Sequence, residues 1–392
     1  MRIKELAEKY NAYIIEQRRW FHQHPEISMK EKHTTEAIVR ELETIGIPVT
    51  RFDNMYGCVG ELTGSRPGKT ILLRADIDGL SVTEETGLPF ASENTGNMHA
   101  CGHDCHISML LGAARILYDI KEELSGTVKF FFQPGEEVAR GAKMAVENGL
   151  MKDVDACFGM HIWSQIDSPH FNMEHGERMA SCDSFTLTVY GKNAHGASPH
   201  QGHDAIVAAS SIIMNLQGLV SRINDPLNAL VVTVGTMNGG QQYNIIPDKV
   251  ELEGTVRTFN RTFHKSIEGY IREIAENTAA CYGCTVKLAY NYLTYPVINE
   301  DSALVKLCQN AASRLFGEEI LVPMEKLTGS EDFSFLMEES PGIYGFIGGR
   351  SPEVAGSELP NHHEKFTVDE NVLHRGSAIT AQFTQDFLTE SD

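Results

Sequence analysis

The chain has 392 residues, more than one hydrophobic core ordinarily supports, and its length therefore favours two domains. It carries 33 lysines and arginines against 53 aspartates and glutamates, a formal net charge of −20, and no basic run interrupts this acidic background. This charge argues against a nucleic acid or an anionic membrane as a partner.

The first predicted element is an amphipathic helix at the N-terminus. Apolar residues from Ile3 to Ile14 recur at helical spacing with charged residues between them, which is typical of a surface helix rather than of an export signal. The most apolar stretch, 205–214, is shorter than the ~20 residues that a membrane span needs. The eight cysteines are spread thinly, as expected for free thiols in a reducing compartment. We therefore expect a soluble cytoplasmic protein.

Short apolar strands then alternate with helical segments. The runs 70–76, 127–133 and 155–163 are mostly apolar, as expected for sheet strands covered on both faces, and helical stretches such as 107–124 separate them. This pattern predicts a layered α/β domain. Ligands of such domains bind at the carboxyl ends of the strands.

The pattern changes near residue 183. Between 184 and 292 the predicted order is strand, helix, two strands, helix and strand, which is the order of a ferredoxin-like α+β unit. The α/β pattern resumes afterwards and ends in a helix from about 369, so the small domain is predicted to be an insertion. The predicted segments are 1–183 and 296–392 for the α/β domain and 184–295 for the inserted domain.

The densest group of chemically reactive side chains is the segment HACGHDCH at 99–106. Cys101, His103, Cys105 and His106 cannot all bind one ion, because the backbone would have to fold around it over very few residues. A metal site here needs further ligands from other strand ends.

Other predicted element ends do carry suitable side chains. They are Glu136, Glu137, His161, His362 and His363. Taken alone, His161 is better explained as a hydrogen-bonded core histidine, and a Glu-Glu pair as a solvated turn. Their joint occurrence near element ends of one α/β domain favours a metal site.

A metal-buffering or redox thiol protein is the alternative from another functional class. It would be built around 99–106 and the C-x-x-C pair of Cys281 and Cys284. No second pair lies nearby, so we interpret this spacing as coincidence.

Ten motifs together carry a resemblance to a known family. They are RRWFHQHPEIS (18–28), LLRADIDGL (72–80), NMHACGHDCH (97–106), FFQPGEE (131–137), GMHIW (159–163), GKNAHGASPH (191–200), YNIIPD (243–248), GTVRTF (254–259), GSEDF (329–333) and LPNHHEKF (359–366). In this order they resemble the M20 metallopeptidases and amidohydrolases. Within that family they are most similar to the N-acyl-amino-acid amidohydrolases, hippurate hydrolases and indole-acetyl-amino-acid hydrolases.

The resemblance implies a pair of divalent metal ions in the larger domain. The implied ligands are Cys101, His103, Glu137, His161 and His362. A thiolate can bridge two ions, so Cys101 is the expected bridge, with His103 and His161 on one ion and Glu137 and His362 on the other. His363 competes for the last position, but the spacing to Phe366 favours His362. Zinc, manganese, cobalt and nickel all remain open.

The resemblance also implies roles for carboxylates beside the metal pair. Glu136 is expected to stay off the metal, to take a proton from the attacking water and to deliver it to the leaving nitrogen. Asp76 is expected to orient a metal ligand, and Asp104 to support His103.

The inserted domain is implied to act as a lid and as the contact of a homodimer or higher homo-oligomer. His195 would stabilise the oxyanion, and Asn244 and Arg257 would bind the carboxylate of a small substrate. The implied activity is hydrolysis of N-acyl amino acids such as N-acetyl or hippurate-like amides. A dipeptidase or carboxypeptidase on the same scaffold is the alternative.

Overall fold

The structure, a computed structural model, describes residues 2–389 and divides into two units, each with its own hydrophobic core. The first unit runs to Gly176 and also includes Ile298–Glu325 and the chain from Asp332 onwards. The second unit consists of Glu177–Val297 and Lys326–Glu331. It thus begins before residue 184 and takes in a short later segment that the sequence pattern did not assign to it.

Helices and strands alternate along much of the chain. The helices are α1 (Arg2–Gln23), α2 (Lys32–Ile45), α3 (His103–Asp119), α4 (Gly141–Glu147), α5 (Ala205–Gly218), α6 (Arg261–Ala280), α7 (Ser302–Phe316), α8 (Ser334–Met337) and α9 (Leu373–Thr389). The strands are β1 (Val49–Arg51), β2 (Cys58–Thr63), β3 (Arg66–Asp76), β4 (Ser125–Gln133), β5 (Ala156–Asp167), β6 (Phe171–Asn172), β7 (Gly176–Met179), β8 (Cys182–Tyr190), β9 (Ala194–His195), β10 (Leu230–Gly239), β11 (Ile245–Ile246), β12 (Lys249–Thr258), β13 (Thr285–Thr294), β14 (Val297–Asn299) and β15 (Gly342–Arg350).

The first unit is built on a seven-stranded mixed sheet in the order β1-β2-β4-β3-β5-β15-β6. The neighbouring strands β4, β3, β5 and β15 run parallel, whereas β1, β2 and β6 pair antiparallel with their neighbours. Leu73, Phe130 and Phe158 are buried in this sheet, and α3 and α9 pack against β3. Parallel strands end at one edge of a sheet, so the polar residues that follow them are brought together there.

The second unit has a four-stranded antiparallel sheet in the order β10-β12-β8-β13, with α5 and α6 packed on it. Its chain order, β8-α5-β10-β12-α6-β13, is the ferredoxin-like order predicted from the sequence. The predicted fold class, a layered α/β domain with an inserted α+β domain, is confirmed.

The apolar stretch that contains helix α5 extends beyond residue 214, where the sequence analysis ended it. With the turn that follows it, the segment Ala205–Ile223 is long and apolar enough to cross a membrane by length and composition alone. In the structure Ala208, Ile212 and Leu216 pack into the core of the second unit. Only 28% of the segment is buried, so it leaves an apolar surface exposed.

Candidate metal centre

The five side chains expected to bind metal lie together in the first unit. Cys101 Sγ is 3.4 Å from His161 Nε2 and 3.3 Å from His362 Nε2. Glu137 Oε1 is 3.4 Å from His362 Nε2 and 3.8 Å from His103 Nε2. The potential ligand atoms form two groups within 4.8 Å, one of Cys101, His103 and His161 and the other of Cys101, Glu137 and His362. Cys101 belongs to both groups.

Two unusual backbone conformations bring these side chains into place. Gly102, just before α3, has φ of +89°, and a Cβ there would lie 2.5 Å from Ile162 Cγ2, so only glycine fits. His362 has φ of +75°, which is unfavourable for a residue with a side chain, and its N–H donates to the Ala100 carbonyl at 2.7 Å. Such strain is typical of functional sites.

The hydrogen bonds of the imidazoles leave their Nε2 atoms facing the cluster. His161 Nδ1 lies 2.6 Å from the Ile162 carbonyl, which only accepts, so Nδ1 carries the proton and Nε2 presents its lone pair to Cys101. His103 Nδ1 lies 3.3 Å from Asp78 Oδ1 and its Nε2 faces the cluster in the same way. Three imidazoles oriented through Nε2 match the usual orientation of metal-binding histidines.

Asp78 connects two of the expected ligands, and the sequence analysis did not single it out. One oxygen contacts His103 Nδ1, and the other accepts the Glu137 N–H at 3.1 Å and the Ser28 hydroxyl at 2.6 Å. The carboxylate is fully buried. Asp78 therefore orients the side chain of one expected ligand and the backbone of another.

The expectation that Asp76 orients a metal ligand directly is not met. Asp76 accepts hydrogen bonds from Arg74 at 2.8 Å and from His106 Nδ1 at 2.5 Å, and its nearest approach to His103 Nε2 is 3.6 Å. Asp76 and Asp78 are two positions apart, so both face the same side of an extended segment. The sequence alone does not distinguish them, and the structure assigns the orienting contact to Asp78.

Asp104 does not support His103 either. It lies 2.8 Å from both Arg18 Nε and His22 Nδ1, on α1. Consecutive helix residues point in different directions, so Asp104 cannot share the surroundings of its neighbour. Burial alone would raise the pKa of Asp104, but Arg18 and His22 hold it well below its usual range.

The electrostatics of the cluster fit a cationic occupant. Burial, followed by the carboxylates of Glu137 and Glu136, raises the pKa of the Cys101 thiol well above its usual value. Burial lowers the pKa of His103, but the carboxylates around it, first Asp76, raise it to about 10. Among the described residues, His103 Nε2 and Glu137 Oε1 are buried without a hydrogen-bond partner. Sulfur, nitrogen and oxygen donors of this kind suit divalent transition metals.

Glu136 lies beside the expected ligands on the loop after β4. A carboxylate oxygen of Glu136 is within 4.8 Å of ligand atoms of His103 and Glu137. Adjacent residues of such a loop point different ways, so one glutamate can bind metal while the other faces the reacting water.

Two buried carboxylates hold the loop on either side of Glu136. Glu31 accepts the Gly135 N–H at 2.8 Å, and Asp78 accepts the Glu137 N–H at 3.1 Å. Burial, reinforced by Asp78, raises the pKa of Glu31 to about 7. The sequence analysis did not single out Glu31 because a glutamate before a helix reads as an ordinary surface residue.

The competing residue His363 has other partners. Its Nδ1 accepts the Lys365 N–H at 3.1 Å and lies 3.6 Å from Glu364. The clusters of potential ligand atoms found among residues 2–389 contain neither Cys281 nor Cys284.

In the second unit, His195 and Asn244 are neighbours. His195 on β9 pairs with Ile245 on β11, and the Gly196 N–H donates to the Asn244 carbonyl at 2.7 Å. His195 Nδ1 accepts the Ala197 N–H at 3.1 Å, so a neutral His195 carries its proton on Nε2.

Arg257 lies elsewhere in the second unit, on β12 opposite Val231. Its guanidinium donates to the Thr328 carbonyl at 3.0 Å. Thr328 belongs to the short segment 326–331, which explains why this later segment folds with the second unit.

Comparison with known proteins identifies the family. The model of peptidase family M20/M25/M40 matches residues 72–386. The chain belongs to this family. The predicted family and the predicted enzyme class, a hydrolase, are confirmed.

Several M20 relatives match the chain over nearly its whole length. Thermostable carboxypeptidase 1 of Saccharolobus solfataricus is 36% identical over 98% of each chain. N-acetylcysteine deacetylase of Bacillus subtilis is 37% identical over 96% of this chain and 97% of its own. A Bacillus subtilis structure described as a dinuclear metal binding peptidase of the M20 family is 35% identical, covers 97% of this chain and 99% of its own, and has a TM-score of 0.86.

Proposed function

We propose that this M20 hydrolase is a metal-dependent amidohydrolase that removes the acyl group from N-acyl amino acids, with N-acetyl or hippurate-like amides as substrates. The observation that carries the proposal is the convergence of one thiol, three imidazoles and two adjacent glutamates at one end of the parallel strands. The relative named N-acetylcysteine deacetylase supports an acylated amino acid as the substrate.

The proposed cofactor is a pair of divalent ions, either zinc, manganese, cobalt or nickel. Cys101 would contact both, with His103 and His161 on one and Glu137 and His362 on the other, as the two groups of ligand atoms support. The likeness to a structure described as dinuclear also supports a pair. Bound divalent ions lower the pKa of water and polarise a carbonyl group.

Glu136 is the proposed general base and acid. It takes the proton of the attacking water and gives it to the leaving nitrogen of the amide. Glu31 and Asp78 accept the backbone N–H groups of the residues on either side of Glu136 and so hold the loop that carries its carboxylate.

The second unit is proposed to act as a lid that supplies the remaining substrate contacts. His195 in its neutral form offers an Nε2–H donor for the oxyanion. Asn244 and Arg257 are proposed to bind the substrate carboxylate, for which the planar guanidinium is suited because it can donate two parallel hydrogen bonds.

The experiment that tests the function is the Glu136→Gln substitution. We expect an activity loss of about 100-fold or more towards N-acetyl and N-benzoyl amino acids, because glutamine cannot accept the proton, while both cations stay bound. Glu147→Gln, an exposed glutamate on α4, is the matched control and should keep full activity. Full activity of metal-loaded Glu136→Gln would refute the mechanism.

A dipeptidase or carboxypeptidase is the second candidate, because the carboxypeptidase from Saccharolobus is as similar as the deacetylase. A substrate panel separates them. Preference for N-acetyl or N-benzoyl amino acids over free dipeptides supports the amidohydrolase, and the reverse preference supports the peptidase.

A homodimer or higher homo-oligomer formed through the second unit is also proposed. Strand β10 lies at the edge of its sheet, and Ile206, Val207 and Met214 of α5 are exposed apolar residues of the same unit. An unpaired edge strand beside an apolar surface is typical of an interface. We further propose a cytoplasmic location, which the eight free cysteines support.

A further inference from the structure

His106 is buried close to the proposed metal centre, and both of its ring nitrogens are already in use. The Ile162 N–H donates to Nε2 at 2.8 Å, and Nδ1 lies 2.5 Å from Asp76 Oδ1. A backbone N–H only donates, so Nε2 must accept and the ring proton must sit on Nδ1. His106 therefore has no lone pair left for a cation.

The hydrogen bond from the Ile162 N–H to His106 lies in the part of β5 with which β3 no longer pairs. β3 pairs with β5 only as far as Gly159, whereas β15 continues alongside β5 past His161 and Ile162. Beyond Gly159 the backbone of β5 therefore has no strand partner on the β3 side. His106 supplies the acceptor that a longer β3 would have supplied.

The backbone of Ile162 links His106 to His161 through two successive peptide groups. Its N–H binds His106, and its carbonyl accepts the Nδ1–H of His161 at 2.6 Å. That second bond fixes the His161 tautomer and directs Nε2 at Cys101 Sγ, 3.4 Å away. The rings of His106 and His161 also contact edge to face, with centroids 4.5 Å apart.

A buried ionic chain holds His106 itself. Asp76 accepts from His106 and from Arg74, and Arg74 in turn donates to Asp332 at 3.1 Å and to Gln133 at 2.9 Å. All of these groups are buried, so they have little freedom to rearrange. The motif GSEDF, which contains Asp332, thereby gains a structural role at the centre.

We propose that His106 is a positioning residue that sets the orientation of His161 through the backbone of Ile162. The inference rests on the proposed function for the assignment of His161 as a metal ligand. The competing interpretation makes His106 a ligand, since its ring lies within 4.8 Å of ligand atoms of Asp76 and His103. The use of both nitrogens argues against it.

The test compares two substitutions of His106 in the full-length protein. Asparagine keeps a donor for Asp76 but is too short to accept from Ile162, whereas glutamine places an oxygen near the former Nε2. In metal-free His106→Asn, we expect Ile162 amide exchange about tenfold faster relative to the other amides of β5. His106→Gln should restore slow exchange.

Metal titration supplies the second readout. His106→Asn should still bind two cations at saturation, with at least one bound about 10- to 100-fold more weakly, and His106→Gln should recover most of that affinity. His264→Asn, which removes a buried imidazole from the second unit, is the matched control and should change neither quantity.

Two results would overturn the inference. One is unchanged Ile162 exchange in His106→Asn, and the other is loss of one cation at saturation in both variants, which would make His106 a ligand. If His106→Asn does not fold, the number of cations that His106→Gln binds at saturation decides whether His106 is a ligand. Failure of the proposed function would appear differently, as a wild-type protein that does not bind two cations.

Discussion

The raised pKa values of Cys101 and His103 favour a protonated thiol and an imidazolium in the metal-free protein at neutral pH. Burial and nearby carboxylates raise the pKa of Cys101, and carboxylates raise the pKa of His103 to about 10. A metal ion binds the thiolate and the neutral imidazole. Cations therefore have to displace both protons, and acidification favours the metal-free state.

We predict the release of about two protons per chain on metal loading at pH 7 to 8. Affinity should rise with pH towards the pKa of His103, because fewer protons then compete. Calorimetric titration in buffers of different ionisation enthalpy measures the release. Cys105→Ala, which removes another buried thiol, should leave it unchanged, and a release below one proton would contradict the proposed ligand set.

Asp78 gives a second prediction for a single residue. Asp78→Asn cannot accept all three hydrogen bonds that Asp78 accepts, so we expect cation affinity to fall about 10- to 100-fold. Metal titration followed by activity measurement checks this. The control is Asp155→Asn, which alters an aspartate that accepts the N–H of Thr70 in β3. Equal affinities in the two variants would refute the role of Asp78.

Individual site residues were predictable to different degrees. Each expected ligand lies within or near an element that the hydrophobic pattern revealed, so the family motifs could be placed on it. The orienting residues were harder because hydrogen-bond partners depend on side-chain direction. Asp78 looks like Asp76 in sequence, and the partners of Asp104 lie on α1, far away along the chain.

At the scale of elements, α5 and β10 are the features most open to experiment. Val207 and Met214 are exposed by 44% and 71% on a helix whose other face packs into the core of the second unit. In an interface, a carboxylate at such a position would lose its water without gaining a hydrogen-bond or ion-pair partner, which costs free energy.

We predict that Met214→Glu converts the proposed oligomer into monomers. Light scattering coupled to size-exclusion chromatography measures the mass. Leu227→Glu alters an even more exposed residue in the loop before β10, and should leave the assembly intact. A monomeric wild-type protein, or an oligomer that survives Met214→Glu, would show that this surface is not the interface.

The observed element boundaries differ from the predicted ones where local backbone geometry, rather than the hydrophobic pattern, determines where an element begins or ends. Helix α3 begins at His103 rather than at 107, because Gly102 in its left-handed conformation starts the helix at the polar residues. The segment 326–331 was unpredictable because its place depends on backbone hydrogen bonds, such as that from the Leu327 N–H to the Arg178 carbonyl at 2.8 Å.

At the scale of the whole molecule, the expected ligands are spread from Cys101 to His362 and come from elements distant in sequence. Cations that bind only the folded chain stabilise it by mass action, by about 2.7 kcal/mol at one hundred times Kd. The two-domain architecture was predicted from length and strand order, and the described residues form two units with separate cores.

We therefore predict that chelation lowers the melting temperature by several degrees and that added cation restores it. Differential scanning calorimetry on metal-free and loaded protein checks this. The melting temperature of Cys101→Ala should change much less when cation is added, because Cys101 is a proposed ligand of both ions. An identical melting temperature with and without cation would contradict a metal site built from these five residues.

The order of the ligands along the chain has a consequence for synthesis. Cys101, His103, Glu137 and His161 precede the second unit, whereas His362 follows it. The ribosome therefore releases the three proposed ligands of one ion, Cys101, His103 and His161, before it translates the second unit. It releases His362, the last proposed ligand of the other ion, only afterwards. The two positions become available in a fixed sequence during translation, so the pair is completed only after the second unit has been translated.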